Sequence, residues 1–128
     1  MGTALAAVGR EAREEAVRRG EIWWADLPAP TGRRPVVLVS RDDAYALINS
    51  VTAVEVTTTV RGIRSEVHLG RDEGLPRPSV ANADNVYGVR KDRIASRIGA
   101  LRRDKMDALD AALCYALALP EPYSARDA

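Results

Sequence analysis

The segment Gly20–Ser40 constrains the fold of this chain more than any other, because it joins two strand-like runs by a very short loop. After its proline, the second run, Pro35–Ser40, consists mainly of valine and leucine, as is typical of a strand buried on both faces. Pro35 also favours an extended backbone at the preceding Arg34. We therefore expect a guanidinium at the mouth of a buried strand, where it suits phosphate binding. The alternative is that Arg33 and Arg34 are solvated loop charges.

Composition is typical of a soluble globular protein with a single domain. The 128 residues are 46% hydrophobic and 29% charged. The only cysteine, Cys114, excludes an internal disulfide and a multi-cysteine metal site, and it suits a reducing cytosol. No apolar run approaches membrane-spanning length, and charged residues interrupt the N-terminal region where a signal peptide needs an apolar core. We expect a cytoplasmic protein without membrane contact.

Charge is unevenly distributed along the chain, although the net charge is only +1. Residues 18–103 carry fifteen Lys/Arg and ten Asp/Glu, an excess of five positive charges, whereas residues 1–17 and 104–128 are both net acidic. All basic residues of the middle region except Lys91 are arginine, which can bind phosphate through two parallel hydrogen bonds. The middle region is therefore the part suited to a nucleic-acid partner.

Short strand-like runs dominate the chain up to residue 100. Besides Gly20–Leu27 and Pro35–Ser40, the patterns predict a helical turn at Ala44–Ile48, strands at Val51–Val60, Ser65–Leu69 and Ser79–Val89, and a short strand into Ile98. A polar run interrupts the fifth of these strands at Asn82, Asp84 and Asn85. Alternation in the third strand places Glu55 and Thr57 on the face opposite Val54 and Val56.

One amphipathic helix follows the strands. Asp104 is predicted to cap its N-terminus and Pro120 marks its end; its apolar face is predicted to contain Met106, Leu109, Leu113 and Leu117. The expected fold class is therefore mainly β with a C-terminal α-helix. The expected architecture is a small, strongly curved antiparallel sheet, or partly open barrel, closed by that helix.

The candidate chemistry lies in arginines and small polar side chains, since no phosphate-binding glycine loop, HExxH motif or cysteine–histidine cluster is present. These candidates are Arg33, Arg34, Thr57, Thr58, Thr59, Arg61, Arg64, Ser79, Asn82, Asp84 and Asn85. His68, the only histidine, could run acid–base chemistry on RNA, but alternation places it on an exposed face, opposite Val67 and Leu69. For Trp23 and Trp24, packing in the core or a dimer interface is favoured over base stacking.

Several segments together resemble the MazF/PemK (Kid) toxins, the endoribonuclease half of bacterial toxin–antitoxin pairs. GEIWWADLPAPTGRRPVVLVSRD is similar to the N-terminal signature of that family, and AVEVTTT to its third strand. SEVHLG is similar to the next strand, and SVANADNVYGVRKDRIASRIGAL to the region after it. The similarity runs from about Arg19 to Leu119. The first loop, Pro28–Arg33, is shorter than in many members and lacks the serine and glutamate of their Gly-Ser-Glu-Gln stretch, so the resemblance does not extend to substrate choice or to the gating of access.

The resemblance implies an SH3-like barrel of about five to seven antiparallel strands closed by short helices. It places this toxin domain at 19–119, between a weakly helical or disordered extension at 1–18 and a tail at 120–128. It also implies a homodimer that is inhibited by a cognate antitoxin. The implied activity is that of an mRNA interferase, which cleaves single-stranded RNA (mRNA, or tRNA or rRNA) at short sequences without a metal ion or other cofactor.

Carried over by position, the implied catalytic residues are Arg34 and Thr57, and Thr58 is the alternative if the alignment slips by one. The predicted RNA-binding residues are Arg33, Thr58, Arg61, Arg64, Ser79, Asn82 and Asn85, of which Ser79 matches the family's serine in the fifth strand. In metal-free cleavage the 2′-hydroxyl attacks its own phosphate, so Arg34 suits stabilisation of the phosphorane charge and Thr57 a hydrogen bond to the phosphate. The general base stays unassigned. The competing hypothesis is a non-catalytic module of the CcdB (gyrase-poison) type, since SH3-like barrels host many functions.

Overall fold

Six antiparallel strands form a single sheet in a computed structural model that describes residues 17–120; the predicted features at 1–16 and 121–128 lie outside the described residues. The strands are Glu21–Asp26 (β1), Arg33–Leu38 (β2), Ser50–Thr57 (β3), Glu66–Leu69 (β4), Ser79–Arg90 (β5) and Ile94–Ala100 (β6). Their order in the sheet is β4-β5-β3-β2-β1-β6. The helices are Ala44–Leu47 (α1) and Arg103–Ala116 (α2), with 3-10 turns at Arg71–Glu73 and Lys91–Arg93.

Strand β2 lies near the centre of the sheet and is buried on both faces, as predicted. Val36 and Leu38 belong to one apolar core, which also contains Trp23 of β1. Val37 belongs to the core on the other face, where Leu109 of α2 packs. Val36, Val37 and Leu38 are all fully buried. The alternation of the short β-branched runs therefore produces two apolar layers, one on each face of the sheet.

The sheet curves until the turn after β4 meets the edge strand β6. A Cβ atom built on Gly99 of β6 would lie 2.1 Å from the carbonyl oxygen of Glu73. A Cβ on Gly74 would lie 2.6 Å from the carbonyl oxygen of Ile98, and Gly74 has a φ of +92°. Only glycine permits both this close backbone approach and this φ. The predicted small curved β-fold with a C-terminal helix is confirmed.

The polar run in β5 interrupts its pairing with β3. Val54 pairs with Val86, but the next residue of β3, Glu55, pairs with Asn82, so residues 83–85 have no partner on β3. Bulges of this kind bend a strand and increase its local twist. The predicted interruption therefore appears as a bulge within one continuous strand rather than as a break.

Several predicted features of these elements are wrong. Strand β2 spans Arg33–Leu38 rather than Pro35–Ser40, so Arg34 lies within the strand. Strand β3 ends at Thr57 rather than Val60, because the Thr57 hydroxyl accepts the backbone N–H of Thr59 (3.1 Å) and the chain turns there. Asp104 does not cap α2: the helix begins at Arg103, and Arg102 occupies the N-cap position without a side-chain hydrogen bond. Leu117 follows the last helical residue and is 55% exposed, so it does not belong to the buried face.

None of the helices within residues 17–120 has the length and apolarity needed to cross a membrane.

We expect Gly99→Ala to lower the free energy of unfolding by at least about 2 kcal/mol, because its methyl group would overlap the backbone of Glu73. Gly88→Ala in β5 is the matched control, since no atom lies within 4 Å of its added Cβ. Its free energy of unfolding should stay within about 0.5 kcal/mol of the wild-type value. Urea denaturation measures both. Equal effects of the two substitutions would show that the sheet does not close on itself at Gly99.

Candidate active site

A cleft of about 370 Å³ opens where the β1–β2 loop, the end of β3 and the loop before β5 meet. It unites five of the residues predicted for the site: Arg33, Arg34, Thr57, Thr58 and Ser79. They come from three strand ends that are far apart in sequence, and the sheet order β5-β3-β2-β1 brings them together. The structure therefore collects both predicted catalytic residues in one concave surface.

Arg34 is held by contacts on two different nitrogens. Its Nε donates a hydrogen bond to the carbonyl oxygen of Thr31 at 3.2 Å, and its Nη1 lies 3.8 Å from Oε2 of Glu55. The side chain is 41% exposed, so the guanidinium is accessible from the cleft. A guanidinium has five N–H donors, and these two contacts leave others to meet an anion.

Thr57 ends β3 at the wall of the cleft. Its hydroxyl oxygen accepts the backbone N–H of Thr59, which fixes the oxygen while leaving the hydroxyl proton to donate. Thr58 is exposed and also lines the cleft. Thr59 therefore supports the site through its backbone, and Thr57 offers a hydrogen-bond donor of defined position.

The two tryptophans have different environments. Trp23 is buried in the core, and its Nε1 donates a hydrogen bond to Oε1 of Glu21 at 3.0 Å. Trp24 is half-buried and lines the cleft, where the Cζ of Arg33 lies 5.5 Å from the ring centroid. Arg33 also forms an ion pair with Asp26 at 3.2 Å. Core packing thus describes Trp23, whereas Trp24 presents an aromatic surface to the cleft.

Ser79 and Arg77 form the opposite wall. Ser79 is buried, and its hydroxyl donates to the carbonyl oxygen of Arg77 at 3.0 Å, which shapes the entry to β5. Arg77 is exposed and lines the cleft, and it was absent from the sequence-based candidates. Its position in a proline-rich loop carries no periodic signal, so only the folded chain reveals it.

Four predicted RNA-binding residues do not line this cleft. Arg61 and Arg64 lie on the loop after β3, where the backbone N–H of Arg61 donates to the Glu66 carboxylate. The guanidinium of Arg64 lies 4.5 Å from the centroid of Tyr115. Asn85 is exposed elsewhere on β5. Asn82 is 4% exposed and its Oδ1 accepts the Asp84 N–H, so its amide serves the bulge in β5.

His68 lies on β4 and is exposed, as alternation predicted, with Val67 and Leu69 buried on either side. It lines a separate groove between β4 and α2, and Lys105 of α2 donates to its carbonyl oxygen. The imidazole is therefore not among the groups that line the cleft of Arg34 and Thr57.

Glu55 and Tyr87 were absent from the sequence-based candidates. The Tyr87 hydroxyl donates to Oε1 of Glu55 at 2.9 Å, while Oε2 faces Arg34. Burial raises the pKa of Tyr87, and the hydrogen bond and charge of Glu55 raise it further. The sequence signal that could have identified Glu55 is its position between Val54 and Val56, because a buried carboxylate requires a partner. In the described part of the chain, no group of three or more His, Cys, Asp or Glu residues could hold a metal ion.

Comparison with known proteins agrees with this fold. Residues 18–117 match the family described as PemK-like, MazF-like toxin of type II toxin–antitoxin system. The chain is 42% identical over 97 residues to the probable endoribonuclease MazF5 of Mycobacterium tuberculosis, covering 74% of this chain and 87% of that protein. This chain therefore belongs to the PemK/MazF toxin family.

Solved structures support the same assignment. The toxin MazF-mt6 of Mycobacterium tuberculosis superposes with a TM-score of 0.74 at 32% identity, covering 79% of this chain and 99% of that one. A mycobacterial endoribonuclease in complex with its cognate antitoxin superposes with a TM-score of 0.74 at 34% identity, covering 84% of this chain and all of that one. The resemblance inferred from the sequence segments is confirmed.

Proposed function

We propose that this protein is the endoribonuclease toxin of a type II toxin–antitoxin pair, and that it cleaves single-stranded RNA at short sequences in the cytoplasm. The observation that carries the proposal is the meeting of Arg34 and Thr57 in one open cleft of a PemK/MazF-family chain. A relative that is 42% identical is named a probable endoribonuclease, which supports the activity. The cleft has a positively charged wall, as a phosphate backbone requires.

Cleavage proceeds through the RNA's own 2′-hydroxyl, without a metal ion. The 2′-oxygen forms a bond to the adjacent phosphorus as the bond from phosphorus to the 5′-oxygen breaks. The 2′-proton leaves, and the 5′-oxygen takes up a proton. The products are a cyclic phosphate and a 5′-hydroxyl. Arg34 stabilises the charge that grows on the phosphorane, and the Thr57 hydroxyl hydrogen-bonds the phosphate or the leaving oxygen.

RNA is held along the same cleft. Trp24 offers a face for base stacking, and Arg33, already over that ring, adds a positive charge. Thr58 and Ser79 line the cleft along which the RNA strand would lie. The exposed Arg61, Arg64 and Asn85 remain proposed contacts for flanking nucleotides. Asn82 is withdrawn from this set, because its buried amide is used within β5.

The first experiment incubates a mixed-sequence RNA with purified protein and excess EDTA, and maps the product ends. We expect cleavage at a short recurrent sequence, with cyclic-phosphate and 5′-hydroxyl ends. A requirement for Mg²⁺, or 3′-hydroxyl ends, would contradict the proposed mechanism. Intact RNA together with inhibition of DNA gyrase would favour the CcdB-type alternative.

A second prediction separates the catalytic roles. Arg34→Ala should lower the single-turnover rate about 10²- to 10³-fold, the usual cost of losing one donor that acts in the transition state. Arg34→Lys should recover little of it, because an ammonium cannot reproduce the planar fork. Thr57→Val keeps the shape, removes the hydroxyl and should also act mainly on turnover.

His68→Gln is the control for this series, because His68 lies outside the cleft. Its cleavage rate should stay within about threefold of wild type, as expected for a surface substitution. An inactive but folded His68→Gln beside an active Arg34→Ala would make histidine the catalyst.

The toxin acts as a homodimer that an antitoxin inhibits. Exposed apolar residues cluster late in the chain at Tyr115, Leu117 and Leu119, and such surface is commonly buried between copies. An acidic antitoxin segment suits the cleft that contains Arg33, Arg34 and Arg77. Light scattering at micromolar concentration should give twice the 13.9 kDa chain mass. The product of a gene adjacent to the one for this chain, when co-expressed, should bind the protein and block cleavage. A monomer would contradict the homodimer, and an adjacent gene product that does not bind would contradict inhibition by an antitoxin.

The sequence predicted that the catalytic domain begins at residue 19, and we propose that it comprises residues 17–119. Val17 packs in the apolar core at 2% exposure, and Arg19 forms an ion pair with Asp110 of α2 at 2.7 Å. Because both side chains contact the rest of the domain, the deletion that tests this boundary removes only residues 1–16. We expect the truncated protein to unfold cooperatively and to cleave RNA within about threefold of the full chain. Loss of either property would place the N-terminal segment within the domain.

A further inference from the structure

Glu55 is a buried carboxylate in the strand that presents Thr57. Its side chain is 11% exposed, and its chain neighbours Val54 and Val56 belong to the apolar core. A buried carboxylate is costly unless charged or hydrogen-bonding groups surround it. Glu55 has two such groups: its Oε1 accepts the Tyr87 hydroxyl at 2.9 Å, and its Oε2 lies 3.8 Å from Nη1 of Arg34.

The backbone pairing of three strands places these groups together. Glu55 of β3 pairs with Val36 of β2, two residues beyond Arg34, and Tyr87 of β5 pairs with Ala53 of β3. Each partner is therefore delivered by a sheet strand rather than by a loop. Side chains on rigid elements hold a geometry better than side chains on loops do.

We propose that Glu55 is a positioning residue for RNA cleavage: with Tyr87 on its far side, it fixes the Arg34 guanidinium in the orientation that meets the reacting phosphate. The contact from Glu55 to Nη1 and the hydrogen bond from Nε to Thr31 together restrain the guanidinium plane. The catalytic consequence of this restraint rests on the proposed endoribonuclease function.

If Glu55 positions Arg34, removal of its charge should affect RNA binding and turnover differently. A carboxylate beside Arg34 reduces the positive potential that an RNA phosphate meets, so removal of its charge should leave RNA binding unchanged or make it tighter. Loss of orientation should instead lower turnover, because misplacement of a catalytic group by about 1 Å can cost 10²-fold. Opposite effects on binding and turnover are therefore the signature of positioning.

Glu21 provides a matched control. It is buried to a similar degree, its Oε1 accepts the Trp23 Nε1–H at 3.0 Å, and its Oε2 lies 3.4 Å from Nε of Arg97. It therefore has the same two kinds of partner as Glu55. It does not line the cleft, so Glu21→Gln tests the general cost of neutralising a buried carboxylate.

The experiment compares Glu55→Gln, Glu21→Gln, Arg34→Ala and the Glu55→Gln/Arg34→Ala double variant by single-turnover cleavage and RNA affinity. We expect Glu55→Gln to cleave 10- to 100-fold more slowly, with unchanged or tighter RNA binding. In the Arg34→Ala background it should have no further effect, because it acts through Arg34. Glu21→Gln should cleave within about twofold of wild type. Equal losses in both Arg34 backgrounds, or from both glutamate substitutions, would overturn the proposal.

A second measurement does not depend on activity. The order parameter of the Arg34 Nε–H bond vector, measured by ¹⁵N NMR relaxation on RNA-free protein, should fall in Glu55→Gln and not in Glu21→Gln. An unchanged value would overturn the proposal.

If the wild-type protein does not cleave RNA, the proposed function fails, and this NMR comparison alone decides whether Glu55 fixes Arg34. If urea denaturation shows Glu55→Gln to be unfolded, Tyr87→Phe removes the same support from its far side and should lower the order parameter to a smaller extent.

Discussion

Burial of β2 on both faces is the constraint on which the site depends. Val36, Val37 and Leu38 can exclude water only if sheet neighbours and two apolar layers surround them, which places β2 between β1 and β3. Pro35 lies at the point where this strand leaves the core, and Arg34 directly precedes it. The hydrophobic free energy that fixes the strand therefore also fixes the origin of the arginine side chain.

The side-chain contacts then restrict where each charge can go. Arg33 is shared between the ring of Trp24 and the carboxylate of Asp26, and Arg34 between Thr31 and Glu55. An arginine that is already restrained loses less conformational freedom when it binds an anion. The cleft thus combines an open surface with arginines that already contact partners within the protein, and we propose that these contacts preorganise the cleft for RNA. This preorganisation is what electrostatic stabilisation of a phosphorane requires.

The sequence predicted the features that depend on local pattern. Alternation identified the strands and the exposure of His68, and the proline identified Arg34, because each signal lies within a few residues. Contacts across strands had no such signal: Tyr87 meets Glu55 because β5 pairs with β3, with Tyr87 opposite Ala53, two residues before Glu55. The bulge in β5 gives the buried, polar Asn82 a structural role that the sequence did not predict. Its amide oxygen accepts the backbone N–H of Asp84 in the irregular strand.

The interaction between Tyr87 and Glu55 also bears on the missing general base. The pKa of Tyr87 is raised above its ordinary value of about 10, mainly by burial and then by Glu55, so its hydroxyl keeps donating to Oε1 well above neutral pH. A raised folded-state pKa means that stability from this bond is complete below the unfolded tyrosine value, about 10, and is lost as the pH rises through the folded value. The other oxygen, Oε2, faces Arg34. With both oxygens of Glu55 directed at protein groups, this carboxylate suits orientation of Arg34 rather than abstraction of the 2′-proton.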